Sequence, residues 1–141
     1  MQPWNEQSEQ VSKITPDKER AKSLLTLIAL REKDLQDKKD EFATLIVEGY
    51  YEIVKELITA IMTVDGYKTL SHEMLIGYLE KFYREFSTAE LYLADQLRKT
   101  RNEIAYRGLI ITSDYLNRNK ERIIKLITKL KKTIEKRMQE K

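Results

Sequence analysis

The sequence predicts an all-α antiparallel bundle of about five helices, and three observations predict it. Apolar residues recur every three or four positions in five separate stretches, the spacing that lines one face of a helix. Helix-capping residues stand at the ends of these stretches. The 141 residues include only four glycines and two prolines, and no run alternates apolar and polar residues as a half-buried strand would.

Residues 1–13 carry no apolar period and are expected to form a mobile arm, with Trp4 as the one residue able to anchor it on the body or on a second subunit. Residues 14–141 read as one domain, since no fixed-period repeat or Pro- or Ser-rich linker divides them. Thr15-Pro16-Asp17 combines a hydroxyl cap, a proline at the first helical position and an acid in the first turn. Ala21, Leu24, Leu25, Ile28 and Leu35 continue that helix into the charged stretch Asp34–Asp40.

The second helix is the most apolar. Phe42, Leu45, Ile46, Tyr50, Ile53, Val54, Leu57, Ile58, Ile61 and Val64 cover more than one stripe, which suits a central position. Asp65-Gly66 stops it, because glycine adopts the positive φ needed just past a helix end. Ser71 caps a third helix whose inner side is Leu75, Ile76, Leu79, Phe82 and Tyr83. Ser87-Thr88-Ala89-Glu90 matches a capping box and opens a fourth, with Leu93, Leu97, Ile104 and Tyr92 directed inward. Gly108 ends it. Thr112-Ser113-Asp114 then starts a fifth helix, with Ile123, Ile124, Leu126, Ile127, Leu130 and Ile134 as its apolar stripe.

Composition removes several classes of function. No cysteine is present, so disulfides and thiolate metal sites are excluded, and His72 alone cannot build a histidine-rich zinc site. No metal or cofactor is expected. No Gly-rich phosphate loop, His-Glu-x-x-His helix, Glu-x-x-His pair or nucleophile elbow occurs. No apolar run is long enough to span a bilayer and no signal-peptide core is seen, so a cytoplasmic protein without membrane association is expected. The net charge of +3 is small, but its distribution is uneven: residues 118–141 carry ten Lys/Arg against three Glu, a sum of +7, and the preceding 117 residues sum to −4. A basic last helix attracts phosphate, although such charge runs are most often solvated faces.

The polar cluster that stands out is Arg101, Asn102 and Tyr106, late in the fourth helix. A guanidinium fork suits phosphate, an amide can serve phosphate or a ribose hydroxyl, and a phenol can stack on a base or donate. Arg101 and Tyr106 are five residues apart, about 140° around the helix, so they can flank one cleft without stacking. On spacing alone an Arg–Glu surface pair and an edge tyrosine account for the same residues better, because exposed ion pairs signify little.

A family resemblance shifts that balance. Arg101-Asn102-x-x-x-Tyr106-x-Gly108 resembles the Arg-x4–6-His signature of HEPN domains, in which asparagine often follows the arginine. Glu48–Leu57, followed by Gly66–His72, is similar to the second-helix and turn segment of archaeal members. The likeness covers about residues 17–135. It implies a four-helix up-and-down bundle with an additional helix, a homodimer whose signature helices share a basic cleft, and binding of nucleotide or RNA at Arg101, Asn102 and Tyr106. Active members are metal-independent endoribonucleases, commonly toxins paired with a small nucleotidyltransferase or another antitoxin. The chain departs from the family at the histidine, where Tyr106 stands, and a phenol titrating near 10 is a poor base at neutral pH. Gly108 replaces the tyrosine of the His-x-Tyr pair that antitoxins modify in one subgroup. The reading is therefore a HEPN-like nucleotide- or RNA-phosphate-binding module, catalytically weak or inactive and partnered with a nucleotidyltransferase.

The alternative is the endoribonuclease itself, with Arg101 and Tyr106 catalytic. His72, on the first turn of the third helix, would substitute for the missing imidazole if it borders the cleft, although a solvated or capping histidine is its plainer reading. A structural helical adaptor is the third reading. The tyrosines are otherwise core edge by spacing, with Tyr51 and Tyr92 the two placed to line a cleft or dimer contact.

Overall fold

The computed structural model describes residues 2–140. Its helices are α1 (Lys18–Gln36), α2 (Ala43–Asp65), α3 (His72–Phe82), α4 (Thr88–Arg107) and α5 (Ser113–Gln139), with a 3-10 turn at Asp40–Phe42 and two short strands, β1 (Val11–Lys13) and β2 (Tyr67–Thr69). Both the all-α class and the number of helices are as expected.

Helix α2 holds the bundle together. It packs against α1, α3, α4 and α5. Leu57, Ala60 and Ile61 along it are wholly buried. Burying each large aliphatic side chain contributes roughly 1.5–3 kcal/mol before chain entropy is counted, and no other helix buries as many. Gly66 ends α2 at φ 92°, its amide turned back to the carbonyls of Met62 and Thr63. Phe42 and Leu45, at the start of the same stripe, remain 42% and 48% exposed.

Four helix ends are set by local chemistry. Ser71 accepts from the Met74 amide at 3.3 Å, and Thr112 from the Tyr115 amide at 3.2 Å. Ser87 and Glu90 form the full capping box, at 3.1 and 2.8 Å. Gly108 closes α4 at φ 66°. The α1 start differs from expectation. Asp17, not Thr15, is the cap, accepting from the Arg20 amide at 3.0 Å, and Pro16 precedes the helix. A carboxylate competes well for the free amides of the first turn, and the Asp17 amide itself is held by the Thr63 carbonyl at 3.1 Å.

The N-terminal segment also corrects the reading of a free arm. Met1 lies outside the described residues, but 2–13 are seated on the body. Val11, Ser12 and Lys13 pair antiparallel with Thr69, Lys68 and Tyr67. Trp4 is 7% exposed, with Tyr78 at 4.9 Å and Tyr67 at 5.5 Å between ring centroids, both edge-on. Gln2 to Trp4 cross α3 directly over Gly77, where only the missing side chain leaves room. Trp4 thus anchors on the body, the first of the two places open to it.

Charged groups tie the helix ends together. Asp65, the last residue of α2, accepts from the phenols of Tyr78 (2.5 Å) and Tyr83 (2.6 Å) and from Arg137 of α5 (2.8 Å to Nε). Arg31 of α1 donates to Glu56 of α2. Thr44 receives the Ile111 amide at 2.8 Å, fixing the link between α4 and α5 to the start of α2. No described helix is long and apolar enough to cross a membrane.

Candidate functional site

Helix α4 carries the polar cluster, and its face decides what each member can do. Leu93, Ala94 and Leu97 turn inward and set the rotation of the helix. That rotation directs Arg98 and Arg101 toward α2 and α3. It directs Tyr106 outward, where it is 80% exposed. Tyr92 also faces solvent, at 63% exposure, and Ile104 is only half-buried, so neither takes the inward place expected. Within one chain Arg101 and Tyr106 do not flank a common cleft. Arg101 is half-buried against α2, whereas Tyr106 stands open to solvent. Asn102 is half-buried beside Arg101.

What Arg101 meets instead is a corner formed by α2, α3 and α4. Its Nε lies 3.5 Å from Glu52 of α2, an ion pair too long to be a hydrogen bond. Glu52 is already bound by Lys55 at 2.6 Å. The Arg101 Nε is buried and has no hydrogen-bond partner. One turn earlier, Arg98 donates to Asp95 at 3.0 Å and lies 3.8 Å from Glu73 of α3. Lys99 approaches the other oxygen of Asp95 at 3.4 Å. Burial alone would raise the Asp95 carboxyl, but the Arg98 hydrogen bond and charge hold it below the usual carboxylate range. Arg98 is thus a neutralised structural group, whereas Arg101 keeps an unsatisfied donor.

His72 belongs to this corner. It is half-buried at the head of α3, its ring 6.1 Å from that of buried Tyr51. Burial lowers its pKa, and the charges of Lys55, Arg101 and Arg98 lower it further against an opposing effect of Glu52. The imidazole is neutral at pH 7 and available as an acceptor or base. Burial pushes the Tyr51 phenol up, so it stays protonated. The corner therefore holds a neutral imidazole within electrostatic reach of an under-used guanidinium.

The chemistry has a pH signature. A histidine whose folded pKa lies below its unfolded value near 6.5 costs nothing above that value. As pH falls through 6.5 the unfolded chain binds the proton first, and stability declines. His72→Asn is expected to flatten denaturation midpoints between pH 7 and 5, well above the acid range where Asp95 and Glu90 titrate. An unchanged slope in the variant would remove His72 from the corner.

Reading the sequence found Arg101 and His72 but missed Glu52, Lys55, Asp95 and Arg98. The Glu52–Lys55 and Asp95–Arg98 spacings are ordinary helical pairs, and only packing of α2, α3 and α4 brings them together. A separate groove of about 470 Å³ lies between α1, α2 and α5, floored by Tyr50, Ile53 and Ile127, and includes none of the corner residues. Compared with family models, curated proteins and solved structures, the chain matches none.

Proposed function

We propose that the chain is a HEPN-like module that binds the phosphate of a nucleotide or RNA through Arg101, with weak or no catalysis, and that it works as a dimer beside a small nucleotidyltransferase. One observation carries the phosphate assignment. Arg101 has a buried Nε without a hydrogen-bond acceptor, and its nearest carboxylate already serves Lys55. A planar fork with free donors is suited to a phosphate oxygen, which would gain charge-assisted hydrogen bonds that Glu52 does not supply. Half-buried Asn102 stands next to it to orient a phosphate or ribose. Tyr106, exposed on the far side of the helix, is a candidate for the dimer contact or for base stacking from a second chain.

A second reading, a metal-independent endoribonuclease, gains support from His72. A neutral imidazole within electrostatic reach of Arg101 can accept a proton at pH 7. In that scheme His72 takes the proton of a ribose 2′-hydroxyl and the 2′-oxygen bonds to phosphorus. The P–O5′ bond then breaks, the leaving oxygen receives the proton back from the imidazolium, and Arg101 offsets the charge on the phosphorane.

Titration calorimetry with adenosine nucleotides and a short single-stranded RNA tests both. Arg101→Ala is expected to weaken binding about 10- to 100-fold, the value of a charge-assisted hydrogen bond, while Tyr106→Phe leaves it unchanged in the monomer's corner. RNA cleavage in EDTA that needs both Arg101 and His72 would establish the enzyme instead. Binding insensitive to Arg101→Ala, with no cleavage, would leave a structural adaptor.

A further inference from the structure

Helix α5 has a second face that the bundle does not use. Leu116, Ile123, Leu126, Leu130 and Ile134 are buried against the body. Around the opposite side run Arg118, Arg122, Lys125, Lys129, Lys132 and Lys136. Their spacing alternates four and three residues, the helical period, so the six form one straight ridge. At 1.5 Å per residue the ridge is about 27 Å long, with a cation roughly every 5 Å. All but Lys129 are exposed.

Most of this charge is not neutralised within the chain. Lys129 is engaged by Glu90 and the Glu85 carbonyl, and Lys125 pairs with the equally exposed Glu121 at 3.3 Å. Arg118 and Arg122 contact only a backbone carbonyl and an amide oxygen, those of Asp114 and Asn119. Among the described residues Lys132 and Lys136 have no ion-pair partner.

The chemistry of the face narrows the partner. Protein interfaces concentrate their energy in buried aromatic and aliphatic anchors, and this ridge has none. Insertion into a lipid surface needs an apolar face, and the apolar face of α5 is consumed by the core. Single-stranded nucleic acid is held by aromatic stacking platforms, which are also missing from the ridge. A duplex presents regularly spaced phosphates and asks only for matching cations.

We infer that the outer face of α5 is a docking track for the phosphate backbone of a nucleic-acid duplex, bound without regard to sequence. It is separate from the Arg101 corner. The two surfaces fail independently.

Fluorescence anisotropy with a 20-base-pair DNA duplex of mixed sequence tests the track. If about five phosphates are neutralised, log K should fall against log salt with a slope near −4.5, at about −0.9 per contact. The combined variant Arg118→Gln, Lys125→Gln, Lys132→Gln and Lys136→Gln is expected to weaken binding at least ~30-fold and to flatten the slope by about 3.6. A control removing four exposed lysines elsewhere, Lys22, Lys33, Lys39 and Lys68, should retain most of the affinity, and so should Arg101→Ala. Circular dichroism of each variant verifies the fold. Equal losses in ridge and control variants would reduce the effect to net charge and overturn the track. So would tighter binding to the matching single strand or to phosphatidylserine vesicles than to the duplex, or no duplex binding at low salt.

Discussion

Asp65→Ala is expected to lower the stability of the fold by about 3 kcal/mol, the lower end of the cost of removing one partner from a buried ion pair, because Arg137 is partly exposed and keeps Glu140. At this chain length that corresponds to a fall in Tm on the order of 10 °C. A carboxylate at the C-terminal end of a helix is unfavourable on its own, because the helix dipole is negative there. Asp65 occupies that position in α2 because three donors converge on it: the phenols of Tyr78 and Tyr83 and the guanidinium of Arg137. Its removal leaves Arg137 with Glu140 as its one carboxylate partner, takes the acceptor from one buried and one half-buried tyrosine hydroxyl, and releases the end of α5 from the end of α2. Tyr83→Phe deletes one of the bonds and leaves the ion pair, so about 1 kcal/mol is its expected cost. Burial and the bond to Asp65 both hold the two phenols above their ordinary titration range. The unfolded tyrosines therefore ionise first, and the parent loses stability as pH rises above about 10. Urea denaturation measures all of this. A loss below about 1 kcal/mol for Asp65→Ala would mean that the cluster does not join the two helices.

That cluster also marks where sequence reading ends. The helices were legible because their determinants are local: Ser71, Ser87 with Glu90, Thr112, Gly66 and Gly108 each act within a few residues of the end they set. Asp65 and Arg137 are 72 positions apart, and β1 and β2 are joined across the whole of α1 and α2. Three-residue strands are also too short to show alternation. Nothing in the pattern at either end announces the other, so Asp65 reads only as a helix stop and residues 1–13 as a free arm.

The candidate site divides in the same way. The guanidinium fork of Arg101 is a property of one side chain and could be singled out from the sequence. Its neighbours are a property of packing. The signature spacing that joins Arg101 to Tyr106 along the chain is at odds with the rotation of α4, which Leu93 and Leu97 determine by turning inward. The same rotation brings Arg101 to Glu52 and within electrostatic reach of His72, from two other helices. In the sequence His72 lacks any periodic signal, and its role follows entirely from the turn at Ser71 that delivers it to the corner.

Gly77→Ala is expected to destabilise the protein by about 2 kcal/mol, against the sign that helix propensity predicts. In a helix interior, alanine is normally better than glycine by roughly 0.5–1 kcal/mol. Here a methyl group would lie 2.3 Å from the Gln2 carbonyl oxygen and 2.8 Å from the Trp4 amide. Backbone, not a flexible side-chain end, occupies the space, so residues 2–4 must lift from α3. Lifting them withdraws Trp4 from Tyr67, Tyr78 and Phe82. Complete loss of such a buried indole costs about 3–5 kcal/mol, and partial recovery through propensity and relaxation reduces the net figure. Gly49 provides the contrast. Its added methyl would meet only the end of the Leu35 side chain, at 2.7 Å, which can turn aside, so Gly49→Ala is expected to be near neutral. Trp4 is the single tryptophan, which makes its emission a direct reporter. Gly77→Ala should shift that emission to longer wavelength and open residues 2–13 to protease, with far-ultraviolet helicity retained. Parent-like emission together with equal or greater stability would show that the N-terminal segment is not held on α3 through Gly77.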